Sequence, residues 1–240
     1  LFLWQNIFGV WPADGEVSDS LRTRLHAYTE KAIREAAVHT TWNDPDAEFE
    51  SAAHTWLDAI IDGPVATELT ALVRLVEPHG VNDALGQKLL ALTVPGIPDV
   101  YQGTESFDDS LVDPDNRRPV DYPARRAALA AATDPKMRVV NGVLRLRRER
   151  PETFLSGGHR PVRADGAAAD HLVAFLRGTD VLVAVTRWTV ALNETGWAET
   201  TLTLPDGRWS NRLDDRTHTG TVLVADLLAQ LPVALLERVG

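Results

Sequence analysis

The stretch Pro95 to Tyr122, PGIPDVYQGTESFDDSLVDPDNRRPVDY, gathers many of the side chains in this sequence that can hold a polar ligand. Within it Asp113, Asp115, Asn116, Arg117 and Arg118 mix carboxylates, an amide and guanidiniums. A planar guanidinium clamps a carboxylate through two parallel hydrogen bonds, so such a run either rigidifies a loop beside a cleft or forms a solvated salt-bridge loop of little energy. Turns expected at Pro114 and Pro119 bracket the run and favour the ordered loop, with ligand contact left to one or two members and structural support to both arginines. Upstream, Tyr101, Gln102 and Glu105 offer a phenol, an amide and a carboxylate where a short β-like run, Asp99 to Gly103, meets a polar loop. A second cluster, HTTWND, sets His39, Trp42 and Asn43 at a helix end. A tryptophan face with polar neighbours stacks on and orients a pyranose ring; the alternative is a tryptophan buried over a helix pair.

The elements that position these residues are legible from apolar spacing. From about Ser18 to Val38, Leu21, Leu25, Tyr28, Ala32 and Ala36 recur at helical intervals behind a Ser18 or Asp19 cap. Asn43, Asp44 and Pro45 break this helix, and residues 47–62 resume the period until Gly63-Pro64. A third helix, Val65 to Glu77, is expected to stop at His79-Gly80, and a fourth runs from an Asn82 cap to Leu92. Residues 123–133 read as one more helix, and the segment beginning at Asp134-Pro135 as another, with Pro151 beyond its end. From His159 the runs DHLVAFLRG, DVLVAVTRW, AETTLTLP and GTVLVADLL predict an antiparallel β-sandwich. The fold class is therefore α+β, a helix-rich segment over residues 1–157 and a sandwich over 158–240. Helix, short buried strand and long polar loop form the rhythm of a β/α barrel, whose ligand groups sit at the C-terminal ends of its strands.

Composition narrows the partners. A net charge of -10 repels phosphate backbones, so no nucleic acid is expected. Cysteine is absent and the seven histidines show no paired ligand spacing, so neither a metal nor any other cofactor is expected. No leader and no bilayer-length apolar run is visible, and a soluble cytoplasmic protein without a membrane partner is the expectation. The opening LFLWQNIFGVWP starts inside an apolar pattern and the single methionine is Met137, so the chain reads as a piece of a longer protein. Trp56, Trp188, Trp197 and Trp209 are expected in cores, and the arginines of RLRRER, Arg145 to Arg150, on a solvated helix face without function.

PGIPDVYQGTE followed by SLVDPDNRRPVDY resembles the eighth strand and following loop of the α-amylase family of glycoside hydrolases. Together with YTEKAIREAAVHTTWNDPDAEFE and GVNDALGQKLLALTV, the wording is most similar to the maltooligosyltrehalose synthase branch, and ADLLAQLPVALL resembles that branch's ending. The resemblance implies the last part of a (β/α)₈ barrel with helical insertions, followed by a β-sandwich. It also implies a parent enzyme that turns the reducing-end α-1,4 linkage of a maltooligosaccharide into an α-1,1 linkage, an isomerase of trehalose formation. Its chemistry would use a carboxylate nucleophile, a general acid/base and a third carboxylate. In the family these lie on strands four, five and seven; nothing here matches their motifs, so no catalytic residue is expected and the piece alone should be inert. Tyr101, Gln102 and Glu105 would then hydrogen-bond sugar hydroxyls, orient a carboxylate or close the barrel rim, and Trp42 and Asn43 would face the reducing-end side. The implied partners are a maltooligosaccharide through the parent enzyme, the N-terminal barrel portion and, for the isolated piece, a second copy of itself. A stand-alone carbohydrate-binding module and a fragment of another α-amylase-family hydrolase or isomerase are the alternatives.

Overall fold

The computed structural model describes residues 1–113 and 115–240. Pro114, expected to form one of the bracketing turns, lies outside the described residues. The chain divides into two compact units, residues 1–78 with 108–119 and residues 79–107 with 120–240. The expected boundary at residues 156–159 falls inside the second unit.

In the first unit α1 (Phe2–Val10), α2 (Asp19–Ala36), α3 (Ala47–Ile61) and the first turns of α4 (Val65–Thr93) bury one core. Local chemistry starts the helices: Ser18 Oγ accepts the Leu21 amide, and the Asp46 carboxylate accepts those of Glu48 and Phe49. Leu21, Leu25 and Tyr28 of α2 meet Ile7, Trp11, Leu57, Ile60, Leu69 and Val73. The apolar opening segment buries Ile7 and Trp11 in this core, with Trp11 Nε1 donating to Thr70 Oγ1 at 2.9 Å; Leu1 and Phe2 stay exposed.

The two helices expected over 65–77 and 82–92 are one helix of 29 residues with Pro78 inside it. Proline removes the amide that would bond the Arg74 carbonyl. Both residues face solvent, so water can satisfy that carbonyl, while Val73 on one side and Leu85, Leu89 and Leu92 on the other are held in cores.

The second unit contains the rest of α4, then α5 (Tyr122–Ala131), α6 (Pro135–Glu149) and α7 (Pro151–Leu155). These are followed by β1 (His159–Val162), β2 (Ala164–Asp165), β3 (Leu172–Arg177), β4 (Val181–Thr186) and α8 (Thr189–Thr195). The chain closes with β5 (Thr201–Thr203), β6 (Trp209–Asn211), β7 (Thr217–His218), β8 (Thr221–Leu223), α9 (Val224–Leu227) and β9 (Val233–Arg238). A six-stranded sheet, β1-β3-β4-β9-β6-β7, and a three-stranded one, β2-β5-β8, are both antiparallel. The strand period of two splits the central strands between two cores. Val181, Val183, Val185, Val233 and Leu235 pack on Leu85, Leu89, Leu92, Val139, Val143 and Leu146 of α4 and α6. Leu182, Ala184, Ala234 and Leu236 pack on Leu202, Leu204 and Trp209. One face of the large sheet is thus covered by helices, which is why the compact unit does not begin at β1.

The expected strand at 99–103 is absent. Tyr101 O accepts both the amide and the hydroxyl of Thr104, at 3.0 and 2.7 Å, and Gly103 adopts φ 87°, so the run folds into a turn. A strand needs a ladder partner, and among the described residues none pairs with this segment.

Candidate functional site

Trp42 and Asn43 occupy the tip of the α2–α3 connection. A tight turn displays them: the Thr41 amide donates to Asp44 O at 3.1 Å, and the Asp44 amide to Thr41 Oγ1 at 2.9 Å. Trp42 is 56 % exposed, which excludes the buried alternative, and the Arg34 guanidinium carbon lies 4.9 Å from its ring centroid. Arg34 is itself fixed, donating to both Glu50 oxygens at 2.7 and 2.8 Å and pairing with Glu30 at 2.6 Å. Glu50 also accepts the buried Thr40 hydroxyl at 2.6 Å. The Arg34 hydrogen bonds, then that of Thr40, pull the Glu50 carboxyl from an ordinary 4.5 to about 2. Further along the same helix pair, Asp58 accepts Arg22 at 2.7 Å and lies 2.9 Å from His26 Nε2, whose Nδ1 lies 2.8 Å from His54 Nδ1. The His26 contact first, with Arg22, lowers the Asp58 carboxyl. The α2–α3 bracket under Trp42 is therefore a polar lattice over an apolar core.

The loop 108–119 belongs to the same unit and is anchored by buried Leu111. Asp115 lies at its centre. Its carboxylate accepts Arg24 Nε at 3.0 and 2.9 Å and the Leu111 amide at 2.8 Å, and Arg118 Nε lies 2.9 Å from it. Arg118 also donates to Ser110 Oγ at 3.1 Å. Asp113 and Arg117 form an ion pair at 2.6 Å, a close approach whose angles do not make a hydrogen bond of it, since Asp113 Oδ1 has none. Asn116 is exposed.

Tyr101, Gln102 and Glu105 lie in the other unit. Their turn is tied to α5 and α6: Arg125 donates to Gly103 O at 3.1 Å and Lys136 to Ser106 O at 3.0 Å. Tyr101 and Gln102 are exposed and Glu105 half-buried. The structure therefore gathers Asp113, Asp115, Asn116, Arg117 and Arg118 into one loop, keeps Trp42 and Asn43 in the same unit, and assigns the remaining three to a separate turn.

Sequence reasoning missed Arg24, whose partner is 91 positions away, and Arg34 with Glu50; each looks locally like a solvated helix residue. Two expectations need correction. Arg147 is not merely solvated: it donates to Leu92 O and Gly96 O at 2.9 and 3.3 Å and stacks on Phe154, and burial lowers its pKa. Trp188 is not a core residue; it is 59 % exposed under the Arg187 guanidinium. Among the described residues no cluster of three or more His, Cys, Asp or Glu is placed to hold a metal, and no helix is long and apolar enough to cross a membrane.

No family model matches the chain. A Mycobacterium tuberculosis protein named "Putative maltooligosyl trehalose synthase" is 62% identical over 237 residues, which is 99% of this chain and 31% of that protein. The structure of maltooligosyltrehalose synthase from Arthrobacter ramosus superposes with a TM-score of 0.88 at 40% identity, over 99% of this chain and 32% of that one. That of a hypothetical maltooligosyl trehalose synthase from Sulfolobus tokodaii gives 0.73 at 28% identity, over 98% and 31%. The 240 residues thus match the C-terminal portion of maltooligosyltrehalose synthase, spanning about a third of the length of these full proteins.

Proposed function

We propose that this chain is the C-terminal part of an enzyme that converts the reducing-end α-1,4 linkage of a maltooligosaccharide into an α-1,1 linkage by intramolecular glycosyl transfer in the cytoplasm. The observation that carries the reading is the 62% identity across 237 residues. In this reading residues 1–157 complete a (β/α)₈ barrel, residues 158–240 form its appended sandwich, and the catalytic carboxylates come from the N-terminal barrel portion. The part played by this chain is one wall of the cleft. Trp42 presents an exposed ring for stacking, and Asn43, Tyr101, Gln102 and Glu105 supply hydroxyl-binding groups. Of the loop carrying Asp113, Asp115, Asn116, Arg117 and Arg118, one or two members contact sugar and the others hold the loop in shape. Exposed Leu72 and Leu75 on α4 offer an apolar face through which the isolated piece would self-associate.

The full-length protein, incubated with maltopentaose, should remove reducing ends and form an α-1,1-linked product, while residues 1–240 alone should do neither. Turnover by the 240-residue chain above a heat-killed control would place the catalytic carboxylates within it and overturn the reading. Release of free glucose by the full-length protein, without the α-1,1 product, would favour a hydrolase of the same family.

A further inference from the structure

We propose that Arg24, on α2, is the positioning residue that sets the loop 108–119, and that Asn116 and Arg117 are the members of that loop that contact sugar. This rests on the reading of the loop as part of a maltooligosaccharide cleft.

The argument begins with the acceptor capacity of Asp115. A carboxylate has about four lone-pair positions. Arg24 Nε takes two of them, at 3.0 Å to one oxygen and 2.9 Å to the other, with its terminal nitrogen 2.8 Å from Oδ2. The Leu111 amide takes another at 2.8 Å, and Arg118 Nε, which donates to the Asp115 backbone carbonyl at 3.1 Å, lies 2.9 Å from the remaining side as an ion pair. The Asp115 side chain is 11 % exposed and that of Arg24 12 %. Enclosed by these groups, Asp115 is a poor ligand contact. Arg24 holds the strand of loop before it as well, donating to Asp109 O at 2.7 Å. Arg118, although 46 % exposed at its side chain, is engaged by Asp115 and Ser110.

What the clamp leaves outside follows directly. Asp115 opens a short 3-10 turn, Asp115–Arg117, so fixing its first residue aims the next two. Among the described residues the exposed Asn116 side chain makes no hydrogen bond, and Arg117, at 69 % side-chain exposure, pairs with Asp113 alone. An amide and a forked guanidinium together supply donors and an acceptor for vicinal hydroxyls. Packing fixes the loop at Leu111 but is sparse beside the clamp itself. A cavity of 250 Å³ lies beside it, lined by Ala27, Tyr28 and Val112 along with the charged pair, so ion-paired hydrogen bonds rather than apolar contacts set the loop on α2 there.

The effect has a definite form. If removal of the guanidinium leaves the loop ordered about a tenth of the time, the apparent sugar affinity falls about tenfold with the chemistry untouched. Arg24→Ala, Arg24→Lys, and the double variant of Asn116→Ala with Arg117→Ala, all in the full-length protein, test this by hydrogen exchange over 108–119 and by steady-state kinetics on maltopentaose. Arg24→Ala is expected to lose protection at the Leu111 amide and to raise KM about tenfold with kcat within about twofold. Lysine cannot make the fork and should not rescue, whereas added guanidinium ion should. The double variant should raise KM with protection unchanged. Unchanged protection in Arg24→Ala overturns the positioning role, and so does full rescue by lysine. Lost protection with unchanged KM leaves the clamp standing and removes the loop from the sugar cleft, a failure of the underlying reading instead.

Discussion

Replacing Pro78 with alanine should make this protein more stable, although proline substitution usually has the opposite sign. The structure runs one helix, Val65–Thr93, through Pro78, where the sequence pattern alone places a helix end. In a helix interior proline costs about 3 kcal/mol relative to alanine, because an amide is lost and the ring crowds the carbonyl four residues back. Against this, proline restricts the unfolded chain, and removing it returns about 0.4–1 kcal/mol of unfolded-state entropy. Pro78 is exposed and belongs to none of the buried clusters, so its removal opens no cavity. The difference is a gain of roughly 2 kcal/mol, which for a chain of this size raises the melting temperature by about 4–8 °C. Urea or thermal unfolding followed by far-ultraviolet circular dichroism measures it, with the transition of each unit fitted separately if two appear. If the helix instead ended near residue 78, the proline would be harmless and its loss neutral or destabilising. A neutral or lower midpoint for Pro78→Ala therefore refutes the continuous-helix account.

Three further outcomes are expected. The Glu50 carboxyl has a folded value near 2 against an ordinary 4.5, so its contribution is present above about 4.5 and is lost as the pH falls towards 2; denaturant midpoints of wild type and Glu50→Gln should differ at pH 7 and converge at pH 2. Trp42→Ala should lower kcat/KM for maltooligosaccharides in the full-length protein by about 1 kcal/mol of lost stacking while leaving the melting temperature unchanged, because the ring is exposed; a lost melting point with intact kinetics would make Trp42 structural. Gly166→Ala should destabilise the sheet unit by more than about 1 kcal/mol, since Gly166 has φ 127° and an added Cβ would meet Thr200 Cα at 2.7 Å; an unchanged unfolding midpoint would show that the turn yields freely.

The candidate site divides along the same line as the fold. That Asp113 to Arg118 would hold itself together through carboxylate–guanidinium contacts was legible, because residue types and short spacing suffice for that inference. Which arginine holds Asp115 was not, because Arg24 reaches it only after α2 has packed. Trp42 was recognisable as a stacking candidate, yet its exposure depended on the Thr41–Asp44 turn and on an Arg34 position set by Glu50.

By itself the sequence determined where most helices begin and which runs become central strands. Ser18, Asp46 and Asp134 cap α2, α3 and α6 through contacts within three residues, and the unbroken apolar runs of β3 and β4 are a property of adjacent positions. Such signals act before the chain has folded. Tertiary structure alone decided that Pro78 lies inside a helix, that Asp99 to Gly103 forms a turn, and that α4 and α6 rather than a second sheet cover the valine face of β4 and β9. Each of those outcomes compares a local cost with apolar burial or a ladder partner supplied from far along the chain, and that comparison exists only once the distant residues have met.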